Sequence, residues 1–132
     1  MSKPSLKTSL VMLQATANFL DQGSANATLV FYDDAKPASV SVNANSSAKL
    51  LVLDLQKPCT KAVNESNIEL HPTNAGIATK SGTAQWARLF NGEGIAVVDI
   101  DVGVGMDIVL DNHDIVIGSS TKLDVIYLSP QL

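Results

Sequence analysis

The sequence predicts a mainly β protein, an antiparallel β-sandwich or jelly roll with one N-terminal helix. Three observations carry that expectation. Residues 81–128 alternate between polar and apolar side chains, the period of half-buried strands, and turn residues interrupt them repeatedly. Seven or eight such short segments recur along the chain with loops at the spacing of all-β domains. A helical period is found only near the start. The 132 residues suffice for one domain and its own core. We divide them into a helical segment, 1–26, and a sandwich domain, 27–132.

Leu6, Leu10, Leu13, Ala17 and Leu20 recur at intervals of four and three, which places them on one helix face. Val11, Met12 and Phe19 widen that face beyond what solvent tolerates. Ser5 is suited to cap the start and Gly23 to the left-handed position past the end, so a helix is expected over residues 5–22. Residues 27–32 read as a strand turned by Asp33-Asp34-Ala35-Lys36-Pro37. A polar loop of Ser, Asn and Ala follows at 39–47. Residues 49–55 form a near-continuous apolar strand stopped by Pro58, and 67–70 a short one before Pro72. In 83–90, Ala84, Trp86, Arg88 and Phe90 share one face. Asn91-Gly92-Glu93-Gly94 signals a hairpin, since Asn-Gly takes up the positive φ angles of a tight turn. Its returning strand is 95–102, Gly103-Val104-Gly105 breaks it, and 107–110, 114–117 and 122–128 complete the set.

Nine basic residues against thirteen acidic ones give a net charge of −4. Lys and Arg never cluster, so nucleic acid and anionic membrane are not expected as partners. Apolar runs fall far short of the roughly 20 residues that span a bilayer. Residues 6–20 are broken by Lys7, Thr8, Ser9, Gln14 and Asn18, which disfavours a secretory signal. Only 17% of residues are charged, below the usual quarter, which hints at surface hidden in an assembly.

No constellation reads as a catalytic centre. Asp99, Asp101, Asp107, Asp111, Asn112 and Asp114 form an oxygen-rich stretch of the kind that binds calcium, but the EF-hand spacing is missing. Duty at turns and on solvent faces is the expectation. A paired-carboxylate hydrolase needs two acids facing each other across a cleft, which spacing alone does not supply. His71 and His113 lack the H-x-H or H-E-x-x-H spacing of metal ligands. Cys59 is the single cysteine, so it forms no intrachain disulfide and reads as a small, partly buried thiol. Gly103-Val104-Gly105 is half of a dinucleotide fingerprint, with Ile108 at the third glycine position, and reads as a bend. Trp86 reads as core. We therefore expect no catalytic, cofactor-binding or metal-binding residue, no cofactor, and a protein that is not an enzyme.

The order of elements resembles that of a family of small proteins from tailed-phage and prophage genomes. The shared features are a short helix (13–23), the strand and turn TLVFYDDAKP (28–37), the apolar strand at 49–55, the block SGTAQWARLFNGEG (81–94) and the strand VDIDVGVGMDIVL (98–110). The Gly82, Trp86 and Arg88 block is the most specific part. Tyr32-Asp33-Asp34 replaces the family's Tyr-Ser-Gly turn, and the loop at 41–47 is additional. The resemblance implies a virion structural protein, a capsid cement or decoration protein bound to the major capsid protein, with a neck, tail or host-adhesion module as the alternative. It further implies a homo-oligomer, dimer or trimer, on the capsid surface, made in the host cytoplasm during assembly.

Overall fold

In the computed structural model of the protein, residues 5–65, 67–103, 114–123 and 126–128 are described. The chain is mainly β, with antiparallel sheets and one helix. Helix α1, Leu6–Leu20, starts where expected: the Ser5 side chain accepts a hydrogen bond from the Thr8 backbone N–H. It ends at Asp21, and Gly23 follows with φ +106°. Ser9, Ala17 and Leu20 are buried, while Val11, Met12, Ala15 and Phe19 are exposed.

The largest sheet has the order β2-β1-β7-β8, built from Thr28–Tyr32 (β1), Lys49–Asp54 (β2), Trp86–Phe90 (β7) and Ala96–Asp101 (β8). Its two faces follow from alternation. Leu29 and Phe31 of β1, Ala87 and Leu89 of β7 and Ile100 of β8 point into the main core. A register shift between Phe31 and Tyr32 places Leu51 and Lys49 as successive partners, so Leu50 is the extra residue of a bulge. That shift lets Leu50, Leu51 and Leu53 all lie buried in the same core.

A second sheet, ordered β11-β4-β3 with β3 at Thr60–Val63, faces that core with Ile68 and Leu70 of β4 (Ile68–Leu70) and Ile126 and Leu128 of β11 (Ile126–Leu128). Ala17 and Leu20 of α1 join the same cluster. Two sheets around one apolar layer, with a helix against it, make the β-sandwich-like arrangement the alternation predicts. Two small pairs complete it: β5 (Gly76–Ile77) with β10 (Ser120–Thr121), and β6 (Gly82–Thr83) with β9 (Asp114–Ile115).

Several details differ from the sequence reading. The stretch 83–90 is two strands, because β6 pairs with β9 while β7 pairs with β1 and β8. Strand β3, Thr60–Val63, begins just after Pro58, where the reading placed none. The expected strand 107–110 lies outside the described residues, and 122–128 contributes β11 at its end.

The 91–94 hairpin is present, but its turn differs from the expected Asn-Gly type. The positive φ belongs to Gly94, at +84°, and neither Asn91 nor Gly92 has one. Gly94 N–H donates to the Asn91 carbonyl at 3.0 Å, and Asn91 N–H to the Ile95 carbonyl at 2.9 Å. This is a three-residue loop with its left-handed residue last. Asn91 holds it from within, its Oδ1 accepting from Glu93 and Ile95 N–H, each at 3.0 Å. Gly92 serves another purpose. A Cβ there would overlap the carbonyl oxygens of Gln22 and Ala25, and one on Gly23 would overlap the Gly92 backbone. The two glycines let the end of α1 and the hairpin turn meet backbone to backbone.

Candidate interaction surface

The outer face of the large sheet would face water in a simple sandwich. Here Val30 and Tyr32 of β1 and Trp86 and Arg88 of β7 all point outward, yet each is buried. Register brings them together: Tyr32 lies opposite Trp86, Val30 opposite Arg88, and Arg88 opposite Asp99. The loop that leaves β1 folds back over them, with Ala44 and Ala48 packed on Val30, Tyr32, Trp86 and Phe90. Its base is closed by Asp33 N–H donating to the Ala48 carbonyl at 3.0 Å.

The centre of this layer is aromatic and cationic. The rings of Tyr32 and Trp86 stack at 4.4 Å with 17° between planes. The Arg88 guanidinium lies 5.3 Å from the Trp86 ring centroid, within cation–π range. Arg88 donates to Asp99 through Nε at 2.6 Å and Nη2 at 3.1 Å, a two-point clamp. A longer contact, 3.5 Å, runs from Nη2 to the Ser39 carbonyl of the covering loop. Trp86 Nε1 donates to Asp34 at 2.8 Å, which holds the first turn of that loop. Lys80–Asp33 at 2.7 Å and Lys36–Asp101 at 3.1 Å flank the layer; being half-exposed, such pairs add about 1 kcal/mol or less each. The Asp99 hydrogen bond holds the Arg88 pKa above its ordinary value, against the opposing effect of burial. Burial raises that of Tyr32, although the Arg88 charge opposes it.

Between loop and sheet lies an open cleft of about 390 Å³. Tyr32, Lys49, Arg88, Phe90 and Ala96 line it from the strands, and Val40, Asn43, Ala44 and Ser46 from the loop. Because Asp99 neutralises Arg88, the cleft offers hydrogen-bonding groups and apolar walls rather than a buried free cation.

The acidic residues singled out in the sequence have separate duties. Asp99 clamps Arg88, Asp101 pairs with Lys36, and Asp114 accepts from the Thr83 hydroxyl at 2.8 Å. Asp107, Asp111, Asn112 and His113 lie outside the described residues, as do Val104 and Gly105. Among the described residues, no group of three His, Cys, Asp or Glu side chains is placed to hold a metal ion. His71 is half-buried, its backbone N–H donating to the Cys59 carbonyl. Gly103 has φ +152° and bends the chain after β8. Trp86 is 1% exposed, buried as expected, but in the layer beneath the loop rather than in the main core. The Arg88–Asp99 clamp is the feature that the sequence reading missed. No helix among the described residues is long and apolar enough to cross a membrane. Comparison with protein families, with curated proteins and with solved structures gives no match to this chain.

Cys59 is buried beside α1, its backbone N–H donating to Asp21 at 2.9 Å and its thiol to the Ala17 carbonyl at 3.5 Å. Burial, with help from the Asp21 charge, pushes its pKa from 9.0 up to about 12. The folded state therefore keeps a proton that the unfolded chain releases between pH 9 and 12. Stability from this group is full below pH 9 and falls as pH rises through that window. The urea midpoint should decline from pH 8.5 to 11, and less steeply in Cys59→Ala. Iodoacetamide at pH 8 should label native Cys59 far more slowly than the urea-unfolded chain. Equal labelling rates would contradict the burial.

Proposed function

We propose that the chain is a structural component of a tailed-phage virion, a capsid cement or decoration protein that works by contact with the major capsid protein and its own copies. The observation that carries the reading is the chemistry of its two exposed appendages. Residues 8–20 of α1 and residues 37–48 of the covering loop contain no charged side chain, although the chain as a whole carries −4. Both display aliphatic or aromatic groups to solvent: Val11, Met12 and Phe19 on the helix, Val40 and Val42 on the loop. Wide, uncharged, partly apolar surfaces suit a protein that acts by buried area. The resemblance to small phage proteins points the same way. The block that carries it most specifically, Gly82, Trp86 and Arg88, serves the packing of sheet and loop: Gly82 lies against Asp33 and Leu50, and the other two form the buried layer.

Deleting α1 is a poor test, because Ala17 and Leu20 belong to the core. The loop offers a cleaner one. Purified protein should co-sediment with capsids, and a Val40→Asp/Val42→Asp variant should bind at least ~10-fold more weakly with its melting temperature unchanged, since both residues are exposed. Wild-type protein that ignores capsids would refute the cement reading, and binding to tails or necks instead would move it to another virion position.

A further inference from the structure

The exposed stripe of α1 has a shape that fits itself. Thr8, Val11, Met12 and Ala15 stand at positions i, i+3, i+4 and i+7, the four corners of a hole on a helix surface. Phe19 follows on the same stripe one turn later. Val11 is 62% exposed, Met12 52% and Phe19 37%. We infer that α1 is the contact surface for a second copy of this chain, packed antiparallel across a two-fold axis so that each Phe19 enters the hole of the other copy.

The register follows from the hole. Its centre lies between Val11 and Met12, so seating Phe19 there places Ala15 next to the partner's Ala15, at the axis. A small residue at that point lets two helices approach to the usual 8–10 Å. The same patch then serves both copies, as two-fold symmetry requires. A parallel arrangement would leave Phe19 against Phe19 and the hole empty. Charge agrees with the choice of occupant: two copies of an acidic chain repel, but residues 8–20 bring no charge to the contact. A stripe of about three turns is smaller than a standard stable interface. The pair should therefore be weak in solution and gain strength where copies are held side by side.

This inference narrows the oligomer expected of a repeated virion protein to a dimer through one named face, and its test needs no capsid. Sedimentation equilibrium of the full chain should show a reversible monomer–dimer equilibrium at micromolar to millimolar concentration. Phe19→Asp should weaken it at least ~10-fold while circular dichroism and Trp86 emission stay those of the wild type. Orientation is read by disulfide trapping: Ala15→Cys should oxidise to a covalent dimer. Val11→Cys should not, because the partner's copy sits about 12 Å away along the helix, beyond disulfide reach. A monomer at all concentrations, a dimer indifferent to Phe19→Asp, or ready trapping of Val11→Cys would each overturn the proposal. A dimer that fails to bind capsids would leave it standing and refute only the cement reading.

Discussion

Trp86→Ala is expected to destabilise the protein by about 3–5 kcal/mol, the range for removing a large buried aromatic. The ring is 1% exposed and fills the layer between the large sheet and its covering loop. Truncation removes the stack on Tyr32, the surface beneath the Arg88 guanidinium and the indole hydrogen bond to the Asp34 carboxylate in one step. For a domain of this size the melting temperature should fall by roughly 10–20 °C. Trp86→Phe separates the contributions: it keeps a stacking ring and loses the indole hydrogen bond, so about 1–2 kcal/mol should go. Trp86 is the chain's single tryptophan, and its emission reports directly on this layer. Native emission should be blue-shifted and move to the red on unfolding. A native spectrum like that of free tryptophan, or an alanine variant within 1 kcal/mol of wild type, would show that the loop does not cover the sheet.

The sandwich was legible where one physical signal dominated. The helix announces itself by its 3.6 period and by Ser5, and the large sheet by alternation in 27–32 and 83–102. Strands β3, β5, β6, β9 and β10 are four residues or fewer, too short for a period to show. Tertiary pairing, not local preference, makes Gly76–Ile77 and Gly82–Thr83 extended. The hairpin was foreseen from Asn91-Gly92, yet the left-handed residue is Gly94. Gly92 is required for a different reason, the close approach of the α1 terminus, which no local rule reports.

The interaction surface was half legible. Of Ala84, Trp86, Arg88 and Phe90, expected on one face, the last three share the layer under the loop while Ala84 lies in the main core, and the loop at 39–47 has no pattern of its own. The missing step was to let that loop return over that face. A signal for it exists in the residues: a strand that puts Trp and Arg on its outward side, beside a strand that puts Val30 and Tyr32 there, is too apolar to face water. Counting back from the hairpin turn also sets Arg88 opposite Asp99, within a residue. The pairing is hidden because Asp99 also belongs to an acidic stretch, in which its cross-strand neighbour does not show.

The Arg88–Asp99 pair supplies the second large effect. Its side chains are 3% and 8% exposed, so each charge has lost most of its water. Arg88→Met removes one charge and strands the other, which should cost about 3–5 kcal/mol. Arg88→Lys should fare little better, because an ammonium cannot reproduce the two-point clamp nor lie flat over Trp86. Replacing both partners, as in Arg88→Met/Asp99→Leu, leaves no orphaned charge and should recover most of the loss, since apolar substitution of a buried pair is often neutral or better. Urea titrations of wild type, Arg88→Met, Asp99→Leu and the double variant form the cycle, and additive losses in the double variant would mean that the pair is solvated. Stability and loop anchoring should then part company. Only the arginine reaches the Ser39 carbonyl, so the double variant should regain its midpoint while amides of the covering loop exchange faster than in wild type. Wild-type protection of that loop in the stable double variant would place its anchorage on Asp34, through Trp86, and on the apolar seat of Ala44 and Ala48, with the buried cation serving the sheet alone.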